Sequence, residues 1–438
     1  MFYLIIVLFI AGYAAITLER RLSVDRTAIA LVTGASIWVC IAIGGDMPHQ
    51  ELVKHLGGIS ELLFFLLGTM TIVEVVDSRG GFSMLSKLFK TAVKVKLLWM
   101  LSFLTFFMSA VMGSLPATIV MITLMWKMIG GNSTRWLFAA MIVISANAGG
   151  ACSPIGNVTT SMLWIGGQLS TWHVILQLLV PCILCMLVPL VILSLDMKGE
   201  AVPPAHVDSA SFLIHATDRE RWTILFSGIG GLMLVPVFYS FMQLPPYLGV
   251  LLVLAVIWLT IEILHRKQKE LKLRISLSGI FKKIDISTIL FFLGILLAVA
   301  GLESAGHLNM LGVFLDEKVH SIYTINIVIG ALSSVVDHVP LVAGAVGMYD
   351  TVTPDAFAAV SDPAKAAFMR HFVQDGSFWK LLAYCAGTGG NILIIGSVSG
   401  IAAMGLAKIN LMWYIRKISL LALAGYLSGF AAYYLIVK

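Results

Sequence analysis

Residues 332–344 read LSSVVDHVPLVAG, placing an aspartate, a histidine and a proline within four positions of an otherwise apolar run. Asp337 and His338 carry polarity that a lipid interior penalises by several kcal/mol. Pro340 removes a backbone donor and should break the helix that carries them. Broken backbone at membrane depth is tolerated only inside protein or beside a water-filled cavity. The stretch therefore predicts the tip of a helical hairpin that enters a bilayer and returns.

The remainder of the chain fits a membrane setting. Its 438 residues are 59% hydrophobic and 12% charged, with a mean hydropathy of +0.95; soluble domains hold about 45–50% apolar and about 25% charged residues. Runs such as FYLIIVLFIAGYAAITL (2–18), LVPCILCMLVPLVILSL (179–195) and the segment 246–264 approach the roughly 20 residues that one helix needs to cross a bilayer. The expected class is an all-α polytopic protein embedded in lipid. The first run lacks a basic leader, and Arg20, Arg21 and Arg26 follow it, the pattern of a retained helix rather than a cleaved signal.

The net charge of +6 reads as Lys and Arg gathered in loops on one membrane side, not as a nucleic-acid surface. Five cysteines are scattered through apolar segments. Cys182 and Cys185 form a CxxC without a histidine or a second pair, and such thiols behave as small hydrophobes. No nucleotide loop, metal-ligand cluster or nucleophile–base pair points to an enzyme or to a bound cofactor.

The chain repeats itself. LLFFLLGTMTIVEVVDSRGGFSML (62–85) resembles ILFFLGILLAVAGLESAGHLNML (289–311), matching Gly68 to Gly294, Asp77 to Glu303 and Gly80 to Gly306. SAVMGSLP (109–116) matches SSVVDHVP (333–340), and AGGACSPIGNVTT (148–160) matches TGGNILIIGSVSG (388–400) in its glycines. Three matches in one order indicate a duplicated unit. The expected organisation is an N-terminal helix and loop (1–26), a first repeat (27–195), a linker with a connecting helix (196–246) and a second repeat (247–438).

Basic residues crowd 18–26, 77–96 and 265–283, which places those loops in the cytoplasm, whereas 45–58 and 303–320 hold few. The helices at 59–76 and 285–302 then run in opposite senses, so the two repeats are inverted. The loop 196–221 fits less well, with five acids against three Lys or Arg, and reads as a flexible linker. Inverted repeats with discontinuous helices are a transporter signature, with the substrate site near the midplane.

Four breaks mark that site. Gly113, Ser114 and Pro116 in MGSLPAT, and Pro340 in VDHVPLV, interrupt apolar stretches as re-entrant hairpin tips. Pro154 and Gly156 in NAGGACSPIGNVTT, and Gly389, Gly390 and Gly396 in GTGGNILIIGSVSG, mark discontinuous helices. Such breaks offer carbonyls and helix ends to a cation or small polar solute; read singly, their small residues also serve close helix packing. Asp337 is the candidate shared ligand of a cation and H+, because a proton and a metal ion compete for one carboxylate. His338 is either a second proton carrier or only a donor to a nearby carbonyl. Ser333, Ser334, Asn147, Ser153, Asn157, Thr159, Thr160, Thr388 and Asn391 are candidates for neutral oxygens or for orienting Asp337. Asp77 and Glu303 should reach water, and Glu74 should face the bundle.

ANAGGACSPIGNVTTSMLWIGGQ (146–168), SSVVDHVPLVAGAVGMY (333–349) and FWKLLAYCAGTGGNILIIGSVSGIAAMGL (378–406) together resemble the NhaD-type sodium/proton antiporters of the ion transporter superfamily. The resemblance runs from about residue 60 to the C-terminus. It implies an inverted-repeat carrier in a bacterial inner membrane that expels Na+ or Li+ in exchange for H+, often as a homodimer. It also implies Asp-Asn where this chain has Gly113-Ser114, an Asp where it has Asn157, and Asn where it has His338. Those two acids are not carried over. One midplane aspartate permits exchange of one ion for one proton. The rival readings are a carrier of small anions on the same fold, such as a dicarboxylate or oxyanion, and a non-transporting partner of an intact antiporter.

Overall fold

The computed structural model describes residues 2–17, 23–44, 49–82, 93–129, 131–197, 199, 218–264, 283–319, 321–353 and 363–437. The basic loop segments 18–22, 83–92 and 265–282, and the linker stretch 200–217, lie outside the described residues. Nineteen α-helices and no strand occur among the described residues. The first part of the chain forms α1 (Phe2–Thr17), α2 (Arg26–Ile43), α3 (His49–Ser78), α4 (Lys94–Met112), α5 (Ser114–Met128), α6 (Asn132–Ala151), α7 (Val158–Ile165) and α8 (Thr171–Asp196). There follow α9 (Asp218–Met242), α10 (Pro246–Leu264), α11 (Ile286–Ser304), α12 (His307–Lys318), α13 (Ile322–Leu332) and α14 (His338–Met348). The chain then forms α15 (Pro363–Met369), α16 (Ser377–Gly389), α17 (Val398–Ala407), α18 (Leu411–Lys417) and α19 (Ser419–Val437).

Eight of these, α2, α3, α4, α8, α9, α10, α11 and α19, are long and apolar enough to cross a membrane. The protein is a multi-pass membrane protein. α13 and α14 have 11 residues each, so at 1.5 Å per residue each covers roughly half of a bilayer core about 30 Å thick. They flank the Asp-His-Pro stretch, but they pack mainly on other elements rather than on each other: α13 on α16, and α14 on α11 and α12. Pro340 does not break a helix, however. It sits in the first turn of α14, and Pro116 sits in the first turn of α5, where a missing N–H has no partner to lose. The break lies before the proline, at 333–337 between α13 and α14 and at Gly113 between α4 and α5. Gly113 adopts φ +94°, a conformation that favours glycine.

The long helices are set by caps and by close backbone approach. Asp25 caps α2 by accepting from Thr27 N at 2.7 Å, and the Thr27 bonds hold its carboxyl below the usual carboxylate range. Asp285 caps α11 through Thr288 N at 3.1 Å. α2 and α11 lie side by side, joined by Thr27 and Ser287 hydroxyls 2.7 Å apart and by Trp38 Nε1 donating to Leu297 O at 2.9 Å. Gly294 lies against the Ala30 backbone there, and Gly68 of α3 lies against Val250 of α10.

The same contacts recur between residues that the sequence matches. Ser109 donates its hydroxyl to Ala146 O, and Ser333 donates to Ala386 O at 2.8 Å. A β-carbon on Gly149 would strike the Phe106 backbone, and one on Gly389 would strike the Gly330 backbone. Gly156 abuts Gly150 and Ser109 O, while Gly396 abuts Gly390 and Ser333 O.

Candidate ion-binding site

Two discontinuous helices meet the breaks at Gly113 and at 333–337. α6 stops at Ala151 and resumes as α7 at Val158; α16 stops at Gly389 and resumes as α17 at Val398. The first tip is tied to the first break by Ser114 N donating to Gly156 O at 3.0 Å.

Asp337 is the N-cap of α14. Its Oδ1 accepts from Val339 N at 3.1 Å, and its side chain is 17% exposed. The hydroxyl of Tyr13 in α1 reaches the Asp337 carbonyl at 3.5 Å. His338 is buried beside it, with Nδ1 3.6 Å from Asp337 Oδ1 and 3.5 Å from Gly396 O. Its Nε2 lies 3.2 Å from Asn157 Oδ1. The imidazole thus links the acid at the second tip to the first break, and contacts a carbonyl as well.

A chamber of about 70 Å³ abuts His338 and Asn157 and is lined also by Thr69, Gly113, Ser114, Ser161 and Val398. Asp337 is not among its lining residues, and no carboxylate is. Met70, Leu115, Pro116, Thr288 and Val398 line both this chamber and a larger vestibule of about 320 Å³. Arg26, Glu74, Asp77, Lys283 and Asp285 line the vestibule. Half-buried Glu74 pairs there with Lys283 at 3.4 Å, whereas Asp77 and Glu303 are exposed.

Asn147 and Asn391 meet in a second, fully buried group. Asn147 Nδ2 donates to Asn391 Oδ1 at 2.8 Å and to Ser397 Oγ at 2.9 Å. Ser399 Oγ donates to Asn147 Oδ1 at 2.6 Å, and Tyr414 OH donates to Asn391 O at 2.8 Å. Thr159 Oγ1, Asn157 Nδ2 and Asn391 Nδ2 are buried without a partner.

The other candidates stay local. Ser334 bonds back to Ala331 O at 2.6 Å and Thr388 to Tyr384 O at 2.6 Å. Ser153 accepts from Ile155 N at 3.4 Å, and Thr160 donates to Ala151 O at 3.4 Å. Sequence reasoning missed Ser397, Ser399 and Tyr414. The first two had a signal, since they stand in GSVSG at the places matched to Asn157 and Thr159; Tyr414 had none.

Comparison with known proteins identifies the lineage. A family model described as citrate transporter matches residues 6–369. Sodium/proton antiporter 1 of Arabidopsis thaliana is 39% identical over 432 residues, covering 97% of this chain and 71% of that protein. Sodium/proton antiporter 2 of the same plant is 38% identical over 433 residues, covering 97% of each. The Na+/H+ antiporter NhaD of Vibrio cholerae is 28% identical over 440 residues, covering 92% of this chain and 85% of that one. These are membrane carriers rather than enzymes. With its hairpin aspartate, its paired helix breaks and these relatives, the chain belongs to the NhaD-type sodium/proton antiporters, within the citrate-transporter family.

Proposed function

We propose that this protein exchanges Na+ or Li+ for H+ by alternating access, with Asp337 binding the cation and the proton in turn. The observation that carries the reading is the position of Asp337: a partly exposed carboxylate between two half-length helices, one imidazole away from a small chamber. A lone carboxylate is neutralised by either Na+ or H+, so it crosses the membrane interior uncharged in both directions. This favours exchange of one cation for one proton. His338 modulates access, because a cation entering from the chamber must pass it.

The recurring contacts support two inverted repeats at 27–195 and 247–438, preceded by the 1–26 segment and joined through 196–246. Alternating access would move the hairpins and broken helices against the long helices. The positive-inside pattern puts the Arg26–Lys283 vestibule on the cytoplasmic side. A bacterial inner membrane and a homodimer rest on the resemblance to bacterial antiporters alone; the two Arabidopsis relatives are plant proteins. Organic-ligand pockets run to about 300–1,000 Å³, so a chamber of about 70 Å³ argues against a citrate-sized cargo at this position. In everted vesicles Asp337→Asn should abolish Na+-driven proton release. Exchange retained at the normal rate would remove Asp337 from its role.

A further inference from the structure

Basic side chains and tryptophans gather where α17 gives way to α18. The two helices are bent by 113° across residues 408–410, with Lys408 in a left-handed conformation at φ +51°. Ile401 and Ala402 line the vestibule, so α17 runs from the chamber past the vestibule to this elbow. Tyr414 pins the inner side of α18, being fully buried and donating to Asn391 O at 2.8 Å. The other side faces outward: Met412 is 55% exposed and Ile415 36%, with Arg416 and Lys417 exposed beside them. The start of α6 packs on the same elbow. Trp136 Nε1 donates to Ala407 O at 3.1 Å, and the Trp136 and Trp413 rings meet edge to face at 5.3 Å. Next to Trp136, the Arg135 guanidinium lies over the Trp126 ring at 5.9 Å.

The charge here is one-sided. No acid occurs in residues 101–195 or 376–438. None of Arg135, Lys408, Arg416 and Lys417 has an ion-pair partner among the described residues. Tryptophans prefer the boundary between hydrocarbon and water, and an amphipathic helix with basic residues lies along that boundary. Basic loops on the cytoplasmic side are general in membrane proteins. This elbow adds to that pattern a fixed geometry, with cations from α6, the bend and α18 set around exposed apolar side chains and indole rings.

We propose that the α17–α18 elbow and the start of α6 seat an anionic phospholipid. The phosphodiester lies among Lys408, Arg416, Lys417 and Arg135, and an acyl chain runs along Met412 and Ile415. Half of the surface is apolar, which suits a lipid and gives a free phosphate nothing to cover. Seating the lipid does not depend on ion exchange.

The test uses the purified full chain in detergent. Tryptophan fluorescence is quenched with brominated phosphatidylglycerol or brominated phosphatidylcholine, and read against a Trp413→Phe chain to isolate the elbow. Phosphatidylglycerol should bind at least about 25-fold more tightly. Arg416→Gln combined with Lys417→Gln should lower that preference by about 25-fold, a factor of about five for each basic side chain. Lys408→Asn, which keeps a residue tolerant of the left-handed conformation, should lower it about fivefold. Lys94→Gln combined with Lys96→Gln removes two basic residues at the start of α4 and should leave the preference unchanged. Equal affinity for the two lipids overturns the proposal, as does a preference that survives at Arg416 and Lys417. A preference lost equally in both double variants would show a diffuse surface charge and overturn it too. Displacement of the brominated lipid by inorganic phosphate would overturn the lipid as occupant.

Discussion

Asp337 accepts from Val339 N at 3.1 Å and lies at the positive end of α14, two features that offset part of the cost of a partly buried carboxylate. Its match in the other repeat is Gly113, which has no side chain to cap α5. The asymmetry leaves a single acid at the tips, with His338 reaching from beside it to Asn157. Asn147 illustrates a different economy. It satisfies Asn391, Ser397 and Ser399 together, joining residues of α6 to the second break and the start of α17. Asn147→Ala would leave Asn391 Oδ1 buried and unpaired, while Ser397 and Ser399 keep each other. We expect a loss of about 1–3 kcal/mol, read as a lowered melting temperature in detergent, together with slowed exchange. Unchanged stability would mean that water replaces the amide at no cost.

At the level of elements, the helix breaks depend on backbones that touch. A β-carbon on Gly389 would stand 2.0 Å from Gly330 O, and one on Gly149 would stand 2.1 Å from Phe106 O. Both neighbours are backbone and cannot swing aside. Gly389→Ala and Gly149→Ala should each force α16 from α13, or α6 from α4, at about 1–3 kcal/mol. Parallel losses in melting temperature would agree with the matched packing, and tolerance of either substitution would contradict it. The prolines show the opposite pattern. Pro116 and Pro340 cost their helices nothing, because each occupies a first turn, where the backbone N–H lacks an intrahelical acceptor in any case.

For the whole molecule, the vestibule and the chamber share a wall of Met70, Leu115, Pro116, Thr288 and Val398, and charged residues line the vestibule. Ile119 lines the vestibule and is 39% exposed. In a chain with Cys40 replaced by alanine, Ile119→Cys should react with a membrane-impermeant maleimide in everted vesicles and not in right-side-out ones. The reverse labelling would invert the assigned orientation. Much of this was legible from residue order alone. Hydropathy marked the spans, because lipid demands long apolar helices. Gly, Pro and the misplaced Asp337 marked the four breaks, because irregular backbone is costly in lipid wherever it occurs. The sequence matches paired Gly149 with Gly389 and Gly156 with Gly396, which pack alike, though the matched Gly68 and Gly294 do not. Partners were not legible: that His338 bridges Asp337 and Asn157, that Ser399 and Tyr414 join the asparagine group, and that four helix ends line one chamber. Those facts depend on how segments hundreds of residues apart come to rest against one another. Local hydropathy and backbone chemistry act along the chain and can be read there; hydrogen bonds, cavities and converging dipoles arise only between segments once they are packed.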